Sequence, residues 1–416
     1  MEALFGSYGI EWLNLLARWL HLITGIAWIG ASFYFVWLDN SIRPPKAGSP
    51  LAKKGVMGEL WAVHGGGFYN PQKYLVAPAE LPEDLHWFKW EAYATWLSGF
   101  AMLFIVYYFN ASAMMIDKNV ADLSEWQAVA VGLGTLAGGW LVYDTLCKTP
   151  LAEKPAVLGT VLFVLIVGAA YVLTQTLSGR AAYIHVGAMI GTMMVGNVLF
   201  VIIPGQRKLV QAMEQGQSPD PVYGKRAKVR SVHNNYFTLP VLLIMISNHY
   251  AMTYSHAYSW LVLAAIMAAG VLIRHFFNLR HAGKVSPAYP IAGVILLAGV
   301  ALAIAPAPRK AVAAPVVATA APADATHAAA APAKLASVQQ VMVQRCASCH
   351  SAAPTQAGFA SAPGGVMLDT EAQTRQHAAK IYQRAVQNKD MPLANMTHMT
   401  DAERQLIGTW FESGAN

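Results

Sequence analysis

Charge and cysteine are what this 416-residue chain has little of. Only 12% of its residues are Asp, Glu, Lys or Arg while 55% are apolar. With a mean hydropathy of +0.37, that balance excludes an ordinary soluble protein of this size. The net charge of +7 is not a nucleic-acid footprint, because the basic residues collect in loops between apolar runs. Three cysteines exclude a disulfide framework and a four-thiolate zinc site. No removable leader is evident either. The first apolar run is too long and lacks a charged leader, so it reads as a retained span.

What the chain has instead is apolar length. Stretches long enough to cross a bilayer lie near residues 12–38, 92–110, 126–146, 155–177, 181–203, 237–254, 258–277 and 288–305. The expectation is an all-α fold whose first part is an eight-span transmembrane helical bundle. The fourth and fifth runs are divided only by Ser178-Gly179-Arg180, a turn between antiparallel neighbours. Loops 39–91, 147–154, 204–231 and 278–287 hold 6, 2, 6 and 2 lysines and arginines; the opposite flanks are nearly free of them. That asymmetry puts these loops in the cytoplasm and both termini outside. Residues 306–334 are dominated by alanine, with proline, valine and threonine, and read as a semi-rigid spacer. The predicted organisation is therefore a membrane domain over 1–305, a linker over 306–334 and a polar domain over 335–416.

Two of the three cysteines fall in Cys346-Ala347-Ser348-Cys349-His350. Thiols three positions apart on one helical turn can add across both vinyl groups of a porphyrin, with the following histidine beneath the iron. No second cysteine pair exists to complete a zinc tetrahedron. Cys346 and Cys349 are thus the predicted attachment sites of one haem c, with His350 as proximal iron ligand. Met391, held by Pro392 shortly before the last helix, is the predicted sixth ligand; Met367, Met396 and Met399 are alternatives. His/Met ligation raises the iron potential, which suits an electron acceptor. Leu335–Arg345 reads as a helix, and Thr400 with Glu403 has capping-box spacing before the stripe Leu406, Ile407, Trp410 and Phe411. These features predict a small α-helical cytochrome c domain.

Ionisable groups inside apolar spans are costly and mark candidate sites. His21, His185 and His249, with Arg18 one turn from His21, are candidates to bind an anionic substrate or to ligate a b-type haem in the membrane domain. In the long 39–91 loop, His64 precedes Gly65-Gly66-Gly67 among aromatics, a run that permits close backbone approach to a flat ligand; a folded lid without chemistry is the alternative. His233-Asn234-Asn235-Tyr236 reads as capping at the start of the sixth span.

The segments Glu11-Trp12 through Arg43-Pro44-Pro45, Gly58-Glu59-Leu60-Trp61 with His64 to Tyr69, and Ala77 to Glu91 resemble those of the bacterial membrane-bound urate oxidases fused to cytochrome c. The resemblance covers essentially the whole chain. It implies an integral-membrane enzyme of the bacterial inner membrane, with its cytochrome c domain periplasmic. Such an enzyme oxidises urate to 5-hydroxyisourate and passes electrons to its own haem c, without making hydrogen peroxide. A downstream cytochrome or terminal oxidase would receive the electrons. A quinol-oxidising respiratory module that reduces cytochrome c is the alternative. Neither the residues nor the resemblance assigns the catalytic base, for which His21, Arg18, His185, His249 and His64 are the candidates.

Overall fold

The computed structural model describes residues 7–117, 120–305, 335–356, 359, 362–363 and 366–415; the predicted linker, 306–334, lies outside them. The chain divides into two compact units, one of them Trp12–Val300 and the other containing the C-terminal residues.

The first unit is helical wherever the sequence is apolar. Its main helices are α1 Ser7–Ser41, α2 Trp90–Met102, α3 Glu125–Leu146, α4 Pro155–Thr174, α5 Gly179–Gly196, α6 Ile203–Glu214, α7 Pro221–Ser247, α8 Ser259–His281 and α9 Ala288–Ala303. Among the described residues five helices are long and apolar enough to cross a membrane: Trp12–Ser41, Glu125–Leu146, Pro155–Thr174, Gly179–Glu214 and Ser259–His281. Each of the eight apolar runs contains a helix. The second, sixth and eighth fall outside that group of five.

Helix α5 forms the centre of this unit, packed by α3, α4 and α7. Its Ala181, Ala182, Val186 and Ile190 are at most 1% exposed, and they meet Leu158 and Leu173 of α4, Tyr143 of α3 and Ile244 of α7. By contrast α1 keeps its large apolar side chains outward, with Trp19 61% and Ile26 65% exposed, the pattern of a helix solvated by something other than protein. Two helices are interrupted by wide π-turns, Leu103–Tyr108 after α2 and Asn197–Ile202 after α5.

One expectation changes here. The run His233 to Tyr236 does not cap a helix, because α7 starts twelve residues earlier, at Pro221, with the Asp220 side chain accepting from the Val222 amide. The run lies mid-helix in a polar network instead. The Tyr143 hydroxyl contacts His233 Nδ1 at 2.8 Å, and Asn197 Nδ2 donates to Tyr143 Oη and to Asn234 Oδ1. Arg230 donates to Asn197 Oδ1 and pairs with Asp144. Gly65-Gly66-Gly67 of the 39–91 loop lie in a tight hairpin. Ala62–His64 pairs antiparallel with Gly67–Tyr69, and Gly65 and Gly66 both take positive φ (58° and 80°) as the two-residue loop, the geometry that only glycine adopts freely at both positions.

In the C-terminal unit, α10 Leu335–Arg345 packs on α13 Asp401–Glu412, with short helices α11 Glu371–Gln376 and α12 Ala378–Ile381 between them in sequence. The capping box forms: Thr400 Oγ1 accepts from the Glu403 amide, and Glu403 Oε2 accepts from the Thr400 amide at 2.7 Å. Val338, Met342, Ile407 and Trp410 are fully buried between the helices, and Arg345 ties their ends together through Glu403.

Candidate functional sites

A cavity of about 370 Å³ lies within the first unit, walled by α1, α2, α5 and α7. Arg18, His21 and His249 all line it; His185 and His64 do not. The His21 ring is seated by α2. Its Nδ1 lies 3.0 Å from the Thr95 carbonyl oxygen and 3.1 Å from Ser98 Oγ, whose own proton goes to the Ala94 carbonyl. Nδ1 therefore carries the hydrogen and Nε2 remains an acceptor. The seat depends on Gly99, because a Cβ there would stand 2.8 Å from His21 Cε1. Trp96 and Phe100 form a stacked pair on the same wall, with ring centres 4.9 Å apart and 11° between planes.

His185 is the satisfied core histidine of the set. It is fully buried; its Nδ1 donates to the Ala181 carbonyl and its Nε2 meets the Tyr108 hydroxyl at 3.2 Å. Its Nδ1 hydrogen goes to Ala181 and its Nε2 lone pair meets the Tyr108 hydroxyl, so both ring nitrogens have protein partners. His64 stands on the exposed hairpin.

Two residues that sequence reasoning did not nominate also line the cavity. Tyr107, on the π-turn, is 5% exposed, and among the described residues its hydroxyl has no hydrogen-bond partner; Asn248, just past α7, has a buried Oδ1 that also lacks one there. The signal for Tyr107 was faint: adjacent tyrosines in an apolar run do not reveal that a wide turn aims both inward.

In the C-terminal unit the helical turn continues past α10. The Cys346 amide donates to the Met342 carbonyl, and the Cys349 and His350 amides both donate to the Cys346 carbonyl. Cys346 and Cys349 are free thiols, and burial pushes Cys346 up to about 12 and raises Cys349. Burial also lowers His350, more than its bond to the Val366 carbonyl raises it, which favours the neutral imidazole a metal requires. That bond, 2.9 Å from Nδ1 to Val366 O, leaves Nε2 free and fixes the ring as ligating histidines are commonly fixed. Met391 lies in a segment held by Arg404, which donates to the Met391 carbonyl at 2.8 Å and to the Ala385 carbonyl. Met399 is packed in the core at 3% exposure, whereas Met367 is 37% exposed. The turn carrying Cys346 and Cys349 and the oriented His350 ring are compatible in their chemistry with a covalent c-type haem.

These features define a largely apolar helical protein with an internal, polar-rimmed cavity. The chain belongs to the urate oxidase N-terminal family, whose model matches residues 7–305, and is a urate-oxidase-related oxidoreductase. No curated protein and no solved structure matches it.

Proposed function

We propose that this chain is an integral-membrane urate oxidase that passes electrons to a c-type haem on its own C-terminal unit. The supporting observation is the joining, in one chain, of a urate oxidase N-terminal region with a turn whose two thiols and oriented histidine suit covalent haem. The reaction balances as urate monoanion plus water giving 5-hydroxyisourate, one proton and two electrons. Hydrogen peroxide is not formed when oxygen is not the direct acceptor. Bound at Cys346, Cys349, His350 and Met391, a c-type haem supplies a one-electron acceptor with a potential raised by His/Met ligation. The Val366 carbonyl orients the His350 ring, and Arg404 fixes the backbone that carries Met391. Five long apolar helices and the loop charge asymmetry favour a bacterial inner membrane with the termini periplasmic. A further cytochrome or a terminal oxidase would then take the electrons away.

The test is anaerobic addition of urate to oxidised membranes containing the full chain. Reduction of the haem with formation of 5-hydroxyisourate supports the proposal. Reduction by quinol but not by urate would replace it with a respiratory module, and reduction by neither would leave an anchored electron carrier.

A further inference from the structure

We propose that the cavity between α1, α2, α5 and α7 is where urate binds, held by Arg18, His21, Tyr107 and Asn248. The inference rests on the urate-oxidising reading above and adds the site, which neither the sequence nor the family match assigns. Space comes first. A cavity of about 370 Å³ is at the small end of ligand sites, and the stacked Trp96–Phe100 pair on its wall offers a flat apolar face to a flat ring.

Charge comes second. Arg18 donates through Nε to Asn14 at 2.6 Å, and among the described residues no carboxylate pairs with it. The wall therefore carries a guanidinium whose charge is free to meet an anion. Urate at neutral pH is largely a monoanion.

The third argument is the pair of unpartnered polar atoms. Buried hydroxyls and amide oxygens without partners are rare and costly, yet among the described residues Tyr107 Oη and Asn248 Oδ1 both lack one, and both residues belong to the wall of this cavity. The tyrosine offers a donor and the asparagine an acceptor. A purine presents carbonyl oxygens and ring N–H groups together, so it answers both. A lipid chain answers neither, and an ionised carboxylate offers nothing to the asparagine oxygen.

Finally, His21 has its Nδ1 hydrogen directed to Thr95, which leaves Nε2 to accept a ring N–H proton from urate as electrons depart.

The test uses the full-length holoprotein in membranes and follows urate-driven haem reduction. Gly191 lies on the cavity wall, and nothing stands within 4 Å of the Cβ it lacks, so Gly191→Leu adds bulk at that wall without a clash at its Cβ. Gly168 in α4 is equally open but does not line the cavity, which makes Gly168→Leu the control. We expect Gly191→Leu to raise KM for urate at least tenfold, with an unchanged dithionite-reduced haem spectrum, and Gly168→Leu to leave KM alone. Tyr107→Phe, nearly isosteric, should raise KM about 3- to 10-fold through loss of one hydrogen bond, and it keeps the question open to test if the Gly191→Leu chain fails to assemble. Wild-type KM in either cavity variant overturns the assignment. A wild-type protein that urate does not reduce overturns the enzymatic reading itself, a different result from an active wild type with indifferent variants.

Discussion

Alanine at Gly99 sets helix propensity against the seat of His21. In a helix interior alanine is favoured over glycine by about 1 kcal/mol. The new Cβ, however, would lie 2.8 Å from His21 Cε1 and 3.3 Å from Nδ1, where nonbonded carbons need about 3.5 Å. The ring must withdraw by roughly 0.7 Å, weakening its contacts with Thr95 and Ser98, each worth about 1 kcal/mol net. Gain and loss nearly cancel, so the stability of the chain should move by no more than about 1 kcal/mol. Turnover should not be spared. A reacting group displaced by about 1 Å can cost roughly 100-fold, and a somewhat smaller displacement here predicts a loss of 10- to 100-fold in urate-driven haem reduction. The assay pairs that rate with a thermal unfolding curve on the same preparation. Gly134→Ala, at an open helical position, supplies the baseline. Wild-type turnover in Gly99→Ala would refute the role given to His21, and a collapse in stability matching the lost rate would refute the reasoning about its seat.

Met391→Ala should lower the haem potential with little loss of stability, whereas Met399→Ala, at a 3% exposed core position, should cost about 2–5 kcal/mol and leave the potential unchanged; redox titration and chemical unfolding separate them. In the C-terminal unit Glu403 is held below its ordinary value: its partial burial alone would raise it, but the Thr400 hydrogen bonds and the Arg345 guanidinium outweigh that. Its contribution to stability is thus present above the unfolded carboxylate range and is lost as pH falls through the lower folded value. Glu403→Gln should flatten that acid limb in unfolding curves taken from neutral pH downward. His185→Gln should destabilise the first unit, because it disturbs both buried contacts, while KM for urate in the surviving protein stays within about twofold; a KM change of tenfold or more would return His185 to the active site.

Helices were legible in the sequence because apolar length and capping chemistry act locally. Leu335–Arg345 and the Thr400–Glu403 box could be read residue by residue, and every apolar run contains a helix. The hairpin at Ala62–Tyr69 was legible too, since a two-residue glycine loop between short alternating runs is a turn signal. The cavity was only half legible. Arg18, His21 and His249 stood out because ionisable groups contrast with an apolar run. Tyr107 and Asn248 did not, because a tyrosine in a span and an asparagine at its end are unremarkable until the packing removes their partners. Burial separated His185 from the others, and burial depends on neighbours such as Gly132, whose absent Cβ would fall 2.5 Å from its Nε2. Nothing in the order of residues announces that.

The wide turn at Leu103–Tyr108 changes how loss of the cavity hydroxyl would look in evolution. Consecutive side chains on an ordinary helix diverge by about 100°, and the extra residue wound into that turn changes the angle at which Tyr107 and Tyr108 leave the chain. Deleting one of the residues before the two tyrosines would restore regular pitch and turn them relative to the cavity wall, with both tyrosines still present. Among relatives, a gap of a single position there would carry more information than most substitutions.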